Sequence, residues 1–176
     1  MKTLSPAVLL VCGSPNDLDL VLDCEDALTE LEIGSTVRVL SAHRTPDEAA
    51  DAVRNAEKEG FRVVIAFAGM SAALAGVSAA HTLLPVIGVP CASGTLGGVD
   101  AALSVLQMPP GTPVAAVAVN GSRNAALLAA RVLALGDSEL RKRLAKRVTD
   151  DRKRYDPEAV EAELAKRREA RKAKRK

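Results

Sequence analysis

Five short apolar runs, each followed by a polar turn and a helix-forming segment, constrain the fold of this chain more than any other feature. The runs lie at residues 6–12, 36–40, 63–68, 85–89 and 114–119. Runs of this kind that stay apolar throughout are typical of strands covered on both faces, as in a parallel sheet. Strands that alternate with helices predict an α/β fold of three layers (α/β/α), with a doubly wound, parallel, five-stranded sheet in the flavodoxin-like order.

The turn after the second run carries the most reactive side chains, because residues 41–46 read SAHRTP. Thr45 and Glu48 have the spacing of a capping box, and a proline after the threonine suits the first position of a helix. This places His43 and Arg44 beside the free amides of a helix start, which carry partial positive charge. The pattern predicts a site for an anion, unless Arg44 is only an exposed loop cation and His43 only a capping residue.

Two further turns are expected beside this one, because right-handed crossovers bring the turns that follow strands to one edge of the sheet. The turns that should line a common crevice are residues 13–17, 41–45 and 69–73. The first of them, GSPND, offers free amides that suit a phosphate, and Asp17 can accept a hydrogen bond from a ribose hydroxyl. Together with Arg44 it is a candidate clamp for a mononucleotide. Capping of a helix by Ser14 or Asn16 explains the same residues equally well.

Composition excludes several classes of partner. Aromatic residues make up 2% of the chain, which leaves no stacking platforms for bases, so no nucleic acid partner is expected. The first apolar run is too short for a signal peptide or a membrane span, so no membrane partner is expected either. The cysteines have no His or Cys at metal-binding spacing and are odd in number, which indicates reduced core thiols in a cytoplasmic protein and no metal site. They are Cys12, Cys24 and Cys91.

The distribution of charge divides the chain. Residues 141–176 contain 16 basic and 7 acidic side chains, although the formal net charge of the whole chain is +2. We therefore expect one domain over residues 1–140 and a separate charged segment, residues 141–176, made of a C-terminal helix and a basic tail.

Several blocks of sequence, in order, resemble the PurE family of small purine-biosynthesis proteins, which act on aminoimidazole ribonucleotide. The resemblance covers about residues 6–140. Its most specific blocks are SAHRTP at residues 41–46 and QMPPGTPVA at residues 107–115. The other blocks are GSPND at 13–17, AG at 68–69, PVIGVP at 85–90, GVD at 98–100 and NAALLA at 124–129.

The resemblance implies a flavodoxin-like subunit that assembles into a homo-octamer, with active sites at subunit contacts and no metal or organic cofactor. It implies that residues 1–140 are the catalytic domain and that His43 is the proton shuttle. When C4 of the imidazole ring has attacked carbon dioxide, it still bears a proton, which a neutral imidazole side chain can take. The positions implied to bind or line the site of the small-molecule ribonucleotide are Ser14, Asn16, Asp17, Ser41, Ala42, Arg44, Gly69, Ser71, Ala73 and Leu74.

Two positions depart from the family's pattern. Asn16 replaces a usual serine, and its amide can still donate a hydrogen bond. Ala73 stands where the bacterial mutases, which move a carboxylate from N5 to C4 of the ribonucleotide, have a second histidine. The block from Gly69 to Leu74 has instead the spacing of GRSNAL in a second class, which carboxylates the ribonucleotide directly with carbon dioxide. Met70 stands in place of that class's arginine.

We therefore expect an enzyme of de novo purine biosynthesis, with the mutase, an isomerase, as the first hypothesis and the class II carboxylase, a lyase, as the second. A PurE-like nicotinate-nucleotide carboxylase shares the pattern AGMxxAL, but the SAHRTP block argues against it. Outside the enzymes, the alternative is a non-catalytic module that binds a nucleotide, which binding without turnover would identify.

Overall fold

The structure, a computed structural model, describes residues 5–173 and contains a parallel sheet of five strands. The strands are β1 (Pro6–Cys12), β2 (Gly34–Val39), β3 (Val63–Gly69), β4 (Val86–Cys91) and β5 (Ala115–Ala116). Their order is β2-β1-β3-β4-β5, and every neighbouring pair is parallel. The predicted flavodoxin-like order of the doubly wound sheet is confirmed.

Helices lie on both faces of the sheet. They are α1 (Leu18–Thr29), α2 (Pro46–Asn55), α3 (Leu74–His81), α4 (Val99–Leu106), α5 (Ser122–Leu133), α6 (Ser138–Lys153) and α7 (Pro157–Ala173). The first, fifth and sixth helices pack on one face, and the second, third and fourth on the other. Side chains along β1 alternate between the two faces of the sheet. Val8 and Leu10 pack against the first group of helices, whereas Leu9 and Val11 pack against the second.

Gly88, in the middle of β4, lets two helices approach the sheet closely. A Cβ atom at this position would lie 2.5 Å from Cγ1 of Val105 on α4 and 3.1 Å from Cβ of Ala75 on α3. Both of these side chains are buried, so neither can swing out into solvent. The glycine therefore sets the distance between the sheet and this helical layer.

Gly88→Ala is expected to destabilise the fold by about 1–3 kcal/mol, because an added methyl group overpacks a filled core. Urea-induced unfolding measures the change. Gly136→Ala is the matched control, because a Cβ atom there meets nothing within 4 Å. Equal midpoints for the two variants would contradict the close approach at β4.

The fifth strand is shorter than the run that predicted it. Residues 114–119 were expected to form a strand, but only Ala115–Ala116 pair with β4. The segment lies at the edge of the sheet, where it has a neighbour on one side only, and Ala115 is exposed. Beyond it, Asn120 donates a backbone hydrogen bond to Pro90 O at 2.8 Å, outside the regular ladder.

The second helix also ends earlier than expected, at Asn55 rather than near Glu59. Gly60 adopts a left-handed conformation (φ +94°), and the Phe61 amide donates to Ala56 O at 3.0 Å. The side chain of Phe61 is buried. The regular helix therefore ends before residues 56–60, which form a turn, and the chain reverses toward the sheet at Gly60, the glycine that was expected to close the helix.

The sixth helix packs against the same layer as α1 and α5 and buries Leu140. Glu30, just after α1, accepts hydrogen bonds from Arg147 on α6 at 2.6 Å and from Arg123 on α5 at 2.8 Å. These two bonds hold the pKa of the Glu30 carboxyl below its usual value. The division of the chain after residue 140 stays a prediction.

Every residue of α7 is exposed to solvent. Residues 174–176, at the end of the predicted basic tail, lie outside the described residues. Within residues 5–173, none of the helices combines the length and the apolar character that crossing a membrane requires.

Candidate active site

A cleft of about 360 Å³ lies at the carboxyl ends of β1, β2 and β3. Its walls are the three turns expected there, residues 13–17, 41–45 and 69–73. All the residues predicted for the site line it: Ser14, Asn16, Asp17, Ser41, Ala42, His43, Arg44, Gly69, Ser71, Ala73 and Leu74. The structure thus brings these residues together, while their individual roles stay predictions.

Two hydroxyl groups hold the turn that carries His43 and Arg44. Ser41 Oγ accepts the amides of His43 at 3.4 Å and Arg44 at 3.3 Å. Thr45 Oγ1 accepts the Ser41 amide at 2.8 Å and donates to Ser41 O at 3.2 Å. The backbone that carries His43 and Arg44 is therefore fixed by hydrogen bonds within the turn.

The predicted capping box at this turn is wrong. The Thr45 side chain makes no hydrogen bond to the first turn of α2. Its hydroxyl bonds instead to the backbone of Ser41, four residues earlier, and makes no bond to the Glu48 amide. The start of α2 consequently keeps its free amides and their partial positive charge.

The side chains of His43 and Arg44 are exposed at the mouth of the cleft. Arg44 forms no ion pair in the part of the chain that the structure describes. An unpaired guanidinium beside the free amides of a helix start can bind an anion through charge-assisted hydrogen bonds.

The turn after β1 is built around Ser14, whose Oγ accepts the Asn16 amide at 3.2 Å and caps a short 3-10 turn. The Gly13 amide donates to Phe67 O on β3 at 3.0 Å, which fixes the turn to the sheet. Asp17, which ends the 3-10 turn, is half-buried in the cleft.

Burial raises the pKa of the Asp17 carboxyl above its usual value, and a hydrogen bond from Cys91 partly offsets this. Burial, with the carboxylate of Asp17 close by, also raises the pKa of Cys12 to about 11 and that of Cys91 to about 12. Both cysteines therefore stay uncharged thiols at neutral pH. The buried side chains beside Asp17 are therefore uncharged, which strengthens any hydrogen bond that this carboxylate accepts.

Asp17→Asn is expected to stabilise the folded chain at neutral pH. A carboxyl whose folded-state pKa is raised favours folding most when protonated, so its contribution is present below the ordinary pKa of 3.8 and lost as the pH rises through the raised value. The stability gained by the variant should thus grow with pH over that window in urea unfolding. The exposed Asp23→Asn on α1 should show no such trend, and a gain that is independent of pH would contradict the burial effect.

The turn after β3 holds the backbone under strain. Met70 and Ala72 have positive φ angles of 56° and 36°, a region that side chains rarely occupy. At Gly69, a Cβ atom would lie 3.0 Å from Ser93 Cβ and 3.2 Å from Cys91 O. The glycine therefore lets the loop after β4 close over one end of the cleft.

Five further residues line the cleft beside the named site residues: Gly13, Ala68, Met70, Ala72 and Ser93. Gly13, Met70 and Ala72 lie in the turns that were predicted to form the crevice, whereas Ala68 and Ser93 lie outside them. Four of them are direct neighbours of predicted residues. Ser93 belongs to a Gly/Ser-rich loop after β4. This loop follows a parallel strand, so it could have been predicted to reach the same edge of the sheet as the three turns.

His43 is the one histidine that lines the cleft in the described part of the chain. His81, at the end of α3, is half-buried elsewhere, with its Nδ1 2.9 Å from Val77 O. Ala73, at the start of α3, presents only a methyl group to the cleft. Within residues 5–173, no group of three His, Cys, Asp or Glu side chains is arranged to hold a metal ion.

A family model described as AIR carboxylase matches residues 7–154. The N5-carboxyaminoimidazole ribonucleotide mutase of Pyrococcus abyssi is 44% identical over 154 residues, which cover 88% of each chain. The protein of the same name from Mycobacterium leprae is 48% identical over 142 residues, covering 81% of this chain and 83% of that one. Among solved structures, a PurE2 variant from Treponema denticola superposes with a TM-score of 0.81 at 27% identity, covering 89% of this chain and 97% of that one.

Proposed function

The chain belongs to the AIR carboxylase family, and from this membership we propose that it acts as an N5-carboxyaminoimidazole ribonucleotide mutase, an isomerase of purine biosynthesis. The reaction moves a carboxylate from N5 to C4 of the ribonucleotide. One observation carries the proposal: a single cleft groups an imidazole, an unpaired guanidinium and a half-buried carboxylate, in a chain that aligns with mutases over most of both lengths.

The three turns of the cleft would bind three parts of the ribonucleotide. Arg44 and the side chains of Ser14 and Asn16 suit the 5′-phosphate, because a guanidinium, a hydroxyl and a side-chain amide can each donate a hydrogen bond to its oxygens. The Asp17 carboxylate suits the ribose hydroxyls, which donate hydrogen bonds to it. The turn of residues 69–74 supplies the small, mostly apolar wall against which the imidazole ring would lie.

His43 would move the proton that the isomerisation requires. The protonated imidazole gives a proton to N5 as the bond between N5 and the carboxylate breaks, which releases carbon dioxide inside the cleft. C4 then attacks the carbon dioxide, and the new tetrahedral C4 gives its proton to the neutral imidazole. Atoms and charge balance, because His43 ends in its starting form and the product is an isomer of the substrate.

The proton balance also explains why Ala73 is compatible with mutase chemistry. One imidazole gives a proton at N5 and takes one at C4, so the cycle closes without a second titrating group. The methyl group of Ala73 leaves space at the start of α3. A second histidine would thus increase the rate rather than make the reaction possible.

Direct carboxylation and a non-catalytic role, two of the alternatives from the sequence, are not favoured. The hypothesis of direct carboxylation, as in the class II enzymes, depended on the spacing of the block from Gly69 to Leu74. The relatives from Pyrococcus abyssi and Mycobacterium leprae, which align over most of both chains, are named mutases. These relatives also favour an enzyme over a non-catalytic nucleotide-binding module.

The proposed activity is tested by incubating the purified chain with N5-carboxyaminoimidazole ribonucleotide and following formation of the C4-carboxylated isomer. We expect the substrate lost and the isomer formed to match mole for mole. The Ala73→His variant should turn over the same substrate faster than the wild type. Binding of the ribonucleotide without any isomer formed would instead favour the non-catalytic module.

We also propose a homo-octamer, as the family resemblance implies. An exposed apolar face supports it. Val99, Leu103 and Leu106 lie on one face of α4 and are 61%, 53% and 62% exposed. Two further exposed apolar side chains lie near the start of this helix: Leu96 and Val119. A second copy of the chain would bury this face, close to the Ser93 end of the cleft. Leu103→Glu should therefore give a smaller particle by light scattering.

A cytoplasmic location is proposed as well. All three cysteines are free and buried, as is usual where thiols stay reduced.

A further inference from the structure

A groove between α5 and α6 is an apolar surface that the proposed reaction does not use. It has a volume of about 400 Å³, and Leu127 and Leu144 contribute to its lining. Leu135 at its edge is 87% exposed. The charged residues of the lining are Arg131 from α5 and Arg141, Arg147 and Asp151 from α6. Arg147 pairs with Glu30 and Asp151, whereas Arg131 and Arg141 form no ion pair within residues 5–173. The surface therefore suits an apolar occupant that carries negative charge on both sides.

The first half of α7 has this pattern. Val160 and Leu164, the apolar pair of α7, lie one turn apart on one face of the helix and are 39% and 45% exposed. At 3.6 residues per turn, Glu161 lies on one side of the pair and Glu163 on the other. Glu161 has no ion-pair partner in the described part of the chain, and Glu163 pairs only with Arg167 of its own helix, at 2.7 Å.

We propose that the first half of α7 from one copy of the chain docks in the groove between α5 and α6 of a second copy. The apolar pair of α7 covers the lining leucines and the exposed edge of the groove. The two flanking glutamates meet the two unpaired arginines, one from each helix. Complementary charges on both sides fix the orientation of the docked helix.

The occupant is a second copy because the chain's own α7 lies outside the groove. It follows α6 after a turn at residues 154–156, and all its residues are exposed. The groove lies on the face of the sheet opposite α4, so it does not overlap the apolar face proposed to be buried in the octamer. It is also independent of the cleft and of the proposed activity.

Cross-linking of the full-length chain tests the proposal. A chain with Leu135→Cys is co-expressed with a chain that carries Val160→Cys and treated with a short bismaleimide. We expect a cross-linked dimer, and the three native cysteines, which are buried, should not react. Ala162→Cys is the matched control: it should give about tenfold less dimer, because it lies on the opposite face of α7.

Charge reversal tests the ion pairs. Arg131→Glu together with Arg141→Glu should lower the yield of dimer about tenfold, because like charges then face each other. Adding Glu161→Arg and Glu163→Arg to the other chain should restore it. Two results would overturn the proposal: no cross-link at all, or a yield that survives the charge reversal.

Discussion

His43→Asn is expected to lower kcat by about 10²–10⁴-fold while leaving the affinity for the ribonucleotide nearly unchanged. The asparagine keeps a polar side chain of similar size on the turn that Ser41 and Thr45 hold, so the cleft should keep its shape. It cannot take up or release a proton near neutral pH. Steady-state kinetics and a binding titration with the carboxylated product separate the two effects.

His81→Asn is the matched control, because this histidine lies outside the cleft, against Val77 O on α3. It should retain the wild-type rate. A near-normal rate for His43→Asn, or an equal loss for both variants, would refute the proton-shuttle role.

Arg44→Ala should weaken ribonucleotide binding by about 10- to 150-fold, as expected for loss of a charge-assisted hydrogen bond worth about 1.5–3 kcal/mol. The guanidinium forms no ion pair within residues 5–173, so its removal leaves no carboxylate unpaired there. Binding constants for the ribonucleotide and for its dephosphorylated nucleoside provide the measurement. The nucleoside never used this contact, so its affinity should hardly change.

Arg62→Ala, an exposed arginine outside the cleft, controls for the loss of one positive charge. Arg44→Lys should fall between the wild type and the alanine variant, because it keeps the charge but loses the planar pair of donors. Equal losses for the ribonucleotide and the nucleoside would contradict a phosphate contact.

The order of the sheet could be predicted because each inner strand is covered on both faces. Apolar runs such as residues 63–68 are therefore unbroken, and right-handed crossovers leave few arrangements. The fifth strand was predicted too long because Val114 to Val119 has the same composition as an inner strand. The strand lies at the edge of the sheet because it pairs with β4 alone, and the composition of a segment does not predict how many strands pair with it.

The residues of the cleft could be predicted to the level of the turns, because every turn after a parallel strand reaches the same edge. Details inside the turns could not. Thr45 has the spacing of a capping residue, but its hydroxyl bonds to Ser41. The Ser41 backbone and the Glu48 amide are both close in sequence, so spacing alone does not decide which of them the hydroxyl contacts. Ser93 reaches the cleft because Gly69 has no side chain, and such a close approach between loops is set by the whole fold.

The most direct test of mutase activity follows the migrating carbon. The wild-type chain is given N5-carboxyaminoimidazole ribonucleotide labelled with ¹³C in the N5 carboxylate, in buffer that contains unlabelled bicarbonate, and the C4 carboxylate of the product is analysed by mass. If the carboxylate moves from N5 to C4 inside the cleft, the product keeps the label, and the uncarboxylated ribonucleotide with bicarbonate gives no product above background. Unlabelled product, formed at the same rate from the uncarboxylated ribonucleotide, would contradict the mutase and identify a direct carboxylase.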